Sequence, residues 1–438
     1  MRVVRGFLVG ATVLLLAVVG LYAVSALWPV AAERRAALAV LDRPQPTPGR
    51  NAFAALYLLN HDVPESEWDG LVAADVARYR ALQPPGIDAF AFEPVADPRW
   101  PRLSVAAPPP QASCDWRKDD CLAQVRAHRD AFAQWLAAEA AVAGRAAAIA
   151  GYGHYRNPFP MGIGTPFPAL QGVRLPLFGA ALAFVDGRHQ EAMTGVCSQI
   201  AGWRPLLSQS DNLLVSMFAA YQLASGARLL GRMAAELPRQ QAVPQSCAAA
   251  LQPLQVDEIR LCEPMRGEAR LVRAGLETMT RDPDPDLWTA LFYDAERTRA
   301  INAPLMAWPC GEPAGQAIAA DVRVVPPLQA TSLLRLECAS NAIGCILSSI
   351  AAPAHGTYQA RAQDVAAQLR LTGAALWLRE NADSVGEVPA ALARLPDALR
   401  SPARVPAVSG DGRHLQVPAL DQRETATLQA ALPDHLRR

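Results

Sequence analysis

The chain has 438 residues, 41 of them basic and 41 acidic, so its formal charge is zero. That balance gives no electrostatic reason to expect nucleic acid as a partner, and 51% apolar against 19% charged residues excludes a disordered chain. Lys118 is the only lysine, which excludes chemistry needing a second one, such as the Ser-x-x-Lys plus Lys-Thr-Gly set.

The other basic residues are arginine, as a GC-rich genome would give. The length is too great for one small core and predicts two or three packed lobes.

Residues Phe7 to Ala32 contain no charged side chain. A helix needs roughly 20 residues to cross a hydrocarbon core of about 30 Å, so this run is long enough to be a transmembrane anchor. Tyr22 and Trp28 sit near its outer end, where amphipathic rings favour the headgroup region. Arg2 and Arg5 precede the run. Positive residues tend to stay cytoplasmic, which predicts N-terminus in and bulk out, although Arg34 and Arg35 on the far side weigh the other way. Val24-Ser25-Ala26 could serve a signal peptidase, but the apolar run exceeds a signal core of roughly 7–15 residues. The expected location is therefore a bacterial inner membrane, spanned once through residues 7–32, with the C-terminal bulk in the periplasm. The next apolar run, Ala339 to Ala354, is shorter and carries Asn341, three serines and Pro353, so it is not read as a second span.

Beyond the membrane a helical continuation is expected over Glu33 to Leu41. A short helix at Asn51 to Asn60 and a longer one at Ser66 to Leu82 follow. Residues 83–113 are proline-rich and read as a linker, with a short strand at Leu103 to Ala106. Asp119 to Gly151 reads as one helix, capped by Asp119 or Asp120. Residues 151–170 break it. Leu177 to Val185 and His189 to Trp203 form a helix pair around Asp186-Gly187. The stretch 183–192 resembles the inter-helix turn of tetratricopeptide repeats, over one unit only. No second copy follows at a period of about 34 residues, so a repeat array is not implied.

Ser210 to Leu237 reads as a long helix, with Leu214, Phe218, Tyr221, Leu229 and Met233 on one face. Helices at 268–280 and 284–297, a loop at 303–327, and helices at 331–350 and 358–382 complete the body. At the C-terminus, Arg404 to Val408 and Arg413 to Val417 flank Ser-Gly-Asp-Gly, a hairpin signal. This helix-and-hairpin ending resembles a module of many bacterial envelope proteins, which implies no activity. The fold expected is mainly α: an irregular helical bundle or short helical stack after one transmembrane helix, with a small C-terminal β-hairpin. The segments are a cytoplasmic tail (1–6), the anchor (7–32), membrane-proximal helices and linker (33–113), a helical domain (114–382) and the C-terminal segment (383–438).

Eight cysteines follow the membrane run, an even number that predicts disulfides in an exported domain. Without a Cys-x-x-Cys, zinc is not expected. Bridged Cα atoms lie about 4.4–6.8 Å apart. Cys114 in a loop can reach Cys121 at a helix start. Cys247 and Cys262 flank a turn on two helices that could fold back on each other. Cys338 and Cys345 read as co-helical, about 10.5 Å apart, and so are not expected to pair. Cys310 is placed with Cys338, which leaves Cys197 with Cys345 by elimination.

Motifs for chemistry are sparse. No two of the seven histidines lie within five residues of each other, so no helical metal-binding pair exists. Gly-x-Ser-x-Gly and the phosphate-loop pattern are absent. Ser210-Asp211-Asn212 reads as a helix N-cap. Asp282, Asp284 and Asp286 lack the glycine and terminal glutamate of a calcium loop, and Asp286 is read as an N-cap. The one candidate ligand loop holds His154, Tyr155 and Arg156 within Gly-Tyr-Gly-His-Tyr-Arg, which also reads as a helix C-terminus. No cofactor or metal is expected. The reading that follows is a protein-binding or envelope-assembly component with an envelope protein as partner. A periplasmic enzyme acting on cell-wall material and a small-ligand sensor are the competing readings.

Overall fold

The computed structural model describes residues 2–82, 92–95, 99–103, 106–108, 114–116, 120–162, 164–280, 286–326, 335–351, 355–422 and 425–437. The chain is mainly helical, with an apolar helix at its N-terminus and one small antiparallel sheet near its C-terminus. Helix α1 spans Arg2–Leu27. Within it Val4–Leu27 is long and apolar enough to cross a membrane, and its most apolar 18-residue stretch is not buried, while contacts to the rest of the chain gather near its C-terminal end. The short α2 (Ala32–Leu41) follows after a four-residue link.

Helices α3 (Phe53–Tyr57) and α4 (Trp68–Ala81) come next. The single helix expected from Asp119 to Gly151 is instead three: α5 (Cys121–Ala127), α6 (Arg129–Ala138) and α7 (Ala140–Ala148). His128 and Glu139, at the two junctions, leave helical geometry. These bends let successive apolar faces wrap one centre, where Phe132 and Trp135 meet Phe178 at ring distances of 5.7 and 5.4 Å. Asp120 caps α5 through its carboxylate. The proposed strand at Leu103 to Ala106 lies partly outside the described residues.

The centre is built by α8 (Leu175–Val185), α9 (His189–Ser208) and α10 (Leu213–Glu236). α8 and α9 form a hairpin closed by Gly187 at φ +84°, a left-handed position that favours glycine. α9 lies along α10 over most of its length. Trp203 is fully buried there and donates its indole N–H to Gln199 at 3.3 Å. α10 is also apolar and long enough to cross a membrane, but most of it is buried in this core. Its N-cap is Asn212, whose side chain accepts from the amides of Leu214 and Val215.

The following helices are α11 (Gln245–Ala250), α12 (Val256–Ile259), α13 (Cys262–Thr280), α14 (Leu287–Phe292), α15 (Ala295–Ala307), α16 (Glu312–Ala319), α17 (Ala342–Ala351), α18 (His355–Asn381) and α19 (Val388–Leu392). Two expectations are corrected here. The helix placed at 284–297 is broken at Tyr293, because Asp286 and Asp294 each cap a new start. The loop expected over 303–327 is largely helical, since Pro304 lies inside α15 and Pro313 in the first turn of α16, where a missing N–H costs little.

The sheet is β1 (Ala407–Val408), β2 (His414–Pro418) and β3 (Thr427–Ala431), in that order. The hairpin is present, and β3 is an additional strand paired antiparallel along the whole of β2. α18 carries apolar residues on two sides. Leu369 and Ala366 belong to the main core, while Leu371, Ala375 and Leu378 join Leu415, Val417 and Leu432 in a second one.

Four disulfides close the described chain: Cys114–Cys121, Cys197–Cys247, Cys262–Cys310 and Cys338–Cys345. The expected pairs 247–262, 310–338 and 197–345 do not form. α11 packs on α9, so Cys247 meets Cys197, and α13 lies beside the turn at Trp308–Cys310, so Cys262 meets Cys310. Cys338 and Cys345 are not on one helix. Cys338 ends a single 3-10 turn and α17 starts only at Ala342, which brings their Cα atoms to 5.8 Å.

Arginine does a specific structural job. Arg379, 1% exposed, donates to the carbonyls of Pro238 (2.5 Å) and Gln241 (2.8 Å) just past the end of α10. Arg266 reaches the carbonyl of Val40 in the last turn of α2 at 3.0 Å, and Arg204 joins Gln252 beyond α11 to both oxygens of Glu258. A guanidinium can serve several carbonyls at once and complements the negative end of the helix dipole. A lysine cannot match that fork, which gives the arginine excess a physical use.

Candidate functional site

The region where polar groups, cavity and chain crossings coincide is the seam between the helical body and the C-terminal sheet. Its anchor is Asp321. α16 ends in a Schellman turn: the amide of Asp321 bonds to Ile318 and that of Val322 to Ala317, both at 3.0 Å. The residue after such a helix end adopts left-handed φ and is usually glycine. Here it is Asp321, at φ +55°. Its carboxylate accepts from Arg404 (Nε at 3.0 Å, and a second bond from Nη2), from Arg370 at 2.5 Å and from Ser401 at 2.5 Å. Burial alone would raise this carboxyl, but those hydrogen bonds and charges outweigh it and hold it below the usual range.

Arg404 is 4% exposed and also binds Asp364 of α18 at 2.6 Å. Asp364 accepts the backbone amides of Leu420 and Asp421 at 2.9 Å. Burial is the strongest influence on Asp364 and pushes its carboxyl above the ordinary range, against those amides and Arg404. One cation thus ties α16, α18 and the loop leading out of β2.

Next to Asp364 is a cleft of about 160 Å³ between α10, α18 and β3. Met217, Tyr221, Val365 and Leu428 form apolar walls. Arg228, Arg361 and Asp421 give it a charged margin, with Arg361 on Asp421 at 2.8 Å. Burial, and then the neighbouring Arg232, lower the pKa of Arg228. The arrangement suits an apolar group carrying polar atoms at its edge.

A second recess, about 340 Å³, lies between α2, α13 and α15. Arg43, Arg270, Arg273 and Arg299 line it with Asp42. Arg299 pairs with Asp42, and Arg273 with Glu277 at 2.7 Å.

The candidate ligand loop is placed elsewhere. His154, Tyr155 and Arg156 are among the lining residues of neither cleft. They form a clasp: isolated parallel bridges pair Asn51 with His154 and Tyr155 with Ser210. His154 Nδ1 lies 2.9 Å from the carbonyl of Pro48, and Arg156 donates to the carbonyls of Pro46, Tyr155 and Gln209. Tyr155 is fully buried, which raises its phenol pKa well above the ordinary value. His154 and Arg156 are spent on backbone carbonyls, while the Tyr155 hydroxyl is buried without a hydrogen-bond partner.

Asp211 sits behind this clasp. Gly267 lets the neighbouring helix approach so closely that an added Cβ would lie 1.8 Å from the Asp211 carbonyl. Burial pushes the Asp211 carboxyl up to about 6, against the charges of Arg270 and Arg156 and the amide of Asn157.

Among the described residues, no group of three or more His, Cys, Asp or Glu side chains is placed to hold a metal ion. The sequence did not flag Asp321, Asp364 or Arg404. They are scattered singly along the chain, and Asp364 lies among other polar residues of α18, so none stands out. No protein-family model, curated protein or solved structure matches the chain.

Proposed function

We propose that this chain is a single-pass bacterial inner-membrane protein whose periplasmic body binds another envelope protein through the seam cleft. The observation that carries the reading is the cleft itself. Its walls are apolar, and its ionisable groups are held by partners, Asp364 by Arg404 and two amides and Arg361 by Asp421. Groups fixed in this way recognise a shape rather than shuttle protons. Four disulfides support an oxidising compartment for the body.

The membrane helix is also built into the body. Arg297 of α15 donates to the carbonyls of Ser25 at 2.7 Å, Trp28 at 3.3 Å and Ala26. Ser25, fully buried, meets the Ser340 hydroxyl at 2.8 Å, and Arg34 grips Glu337 through two bonds of 2.7 and 2.8 Å. The cleft is therefore presented at a fixed height above the membrane, as suits an assembly component.

The test is site-specific photocrosslinking in cells. A photoreactive residue at Met217 or Leu428 should trap one dominant envelope protein, and one at the exposed Asp130 should not. Equal background from all three positions would refute the reading. A second reading, an enzyme on cell-wall material, rests on the raised Asp364 carboxyl in an apolar cleft. It requires Asp364→Asn to abolish a measurable turnover while leaving the fold intact.

A further inference from the structure

Helices α14 and α17 leave Leu287, Trp288, Leu291, Ile346, Leu347 and Ile350 exposed, three of them at about 70%. Neither helix carries a charged side chain. Exposed apolar surface of this kind marks an interaction site. The two helices touch each other, and the 3-10 turn Leu336–Cys338 that leads into α17 touches α1. Tyr22 of α1 donates its hydroxyl to the carbonyl of Leu291 at 2.7 Å, and its ring meets Phe292 edge-on at 6.1 Å. On the other side, the Ser25–Ser340 contact and the Cys338–Cys345 bridge hold the start of α17 against the same helix.

Depth along α1 decides what covers this face. The 24 residues Val4–Leu27 make about 36 Å of helix, roughly 6 Å more than the hydrocarbon core. Tyr22 lies five residues, or about 7.5 Å, before Leu27. With α1 centred, Tyr22 is a few ångströms inside the hydrocarbon edge. A helix bonded to Tyr22 is then at the same level.

We propose that α14 and α17 form a foot seated in the interfacial zone of the outer leaflet, with Trp288 and the five aliphatic side chains facing lipid. The inference rests on the reading of α1 as a retained membrane anchor. α17, at ten residues, is too short to cross but suited to lie in the interface, where tryptophan is favoured and apolar faces are buried. The foot and the anchor together fix the tilt of the body as well as its height.

The test uses the full chain reconstituted in vesicles of phosphatidylethanolamine and phosphatidylglycerol. The vesicles carry a phospholipid with a photoactivatable carbene precursor on its acyl chain, and labelled peptides are mapped by mass. Peptides from α14 and α17 should be labelled to the level of residues 18–27, at least about fivefold above the peptide bearing the exposed Val405. Label on α1 with α14 and α17 at the Val405 level would overturn the foot and leave the anchor standing, a result expected if a protein covers this face. An unlabelled α1 would overturn the anchor, and the foot with it.

Discussion

Asp321 ends helix α16 in a left-handed conformation and, from that same position, accepts two hydrogen bonds from Arg404, 83 residues further along the chain. Glycine would suit the backbone better, by about 1 kcal/mol. Aspartate is there because the turn points a carboxylate at the cation that joins the sheet to the helices.

The pair sets the first expectation. Arg404→Ala leaves Asp321 and Asp364 buried without their shared cation and should cost about 3–5 kcal/mol. Asp321→Asn keeps a residue that tolerates left-handed φ and should cost less than Asp321→Gly, which relieves the backbone but removes every side-chain acceptor. Thermal or denaturant unfolding in detergent micelles ranks the three. A glycine variant as stable as the native chain would show that the seam does not depend on this network.

Asp211 makes stability depend on pH. Its carboxyl titrates at about 6 in the folded chain against roughly 3.9 when unfolded. A raised pKa favours folding while the proton stays on. That contribution is full below about pH 4 and is lost as pH rises through about 6, a change on the order of 3 kcal/mol. The stability difference between the native chain and Asp211→Asn should fall across this window and be flat above pH 7. A difference that does not change from pH 4 to pH 7 would contradict the burial of this group.

The disulfides should differ in worth according to the loops they close. Cys197–Cys247 spans 50 residues and Cys338–Cys345 spans 7. By chain entropy these correspond to about 4 and about 2 kcal/mol. Paired replacement by serine should therefore lower the unfolding midpoint more at 197 and 247 than at 338 and 345. Mass mapping without reductant should recover the pairs 114–121, 197–247, 262–310 and 338–345, and no free thiol.

Arg297 should control how firmly the N-terminal apolar helix is held. Arg297→Ala removes the donors to Ser25, Ala26 and Trp28, which at a helix C-terminus corresponds to about 1–2 kcal/mol. Amides of residues 28–35 should then exchange about tenfold faster. Arg297→Lys should recover part of the protection, since it keeps the charge but not the fork. Unchanged exchange in the alanine variant would mean that other contacts hold the exit turn.

Local signals were legible and long-range ones were not. The Asn212, Asp286 and Asp120 caps, the α8–α9 turn and the hairpin follow from a few neighbouring residues each. The breaks at His128 and Glu139 do not, because tertiary wrapping overrides a continuous helical pattern. Cysteine pairing misled for the same reason: it depends on α11 lying against α9, which no local spacing encodes. The helical pattern also ran through the turn at Cys338, which hid its pairing with Cys345. The seam has the weakest trace of all. Asp321, Asp364 and Arg404 become a site only when α16, α18 and the sheet meet. The clasp at 154–156 is visible as a polar loop, but that His154 and Arg156 would be used on the carbonyls of Pro48, Pro46, Tyr155 and Gln209 is a long-range fact no local pattern encodes.

The measurement that bears most directly on the account is the side of the membrane on which the body lies. A reporter active only after export, fused beyond Arg438 in the full chain, should be active, and a cytoplasm-only reporter at the same place should be silent. The reverse pattern would put the disulfide-bearing body in the cytoplasm and contradict both the anchor's orientation and an envelope partner at the seam.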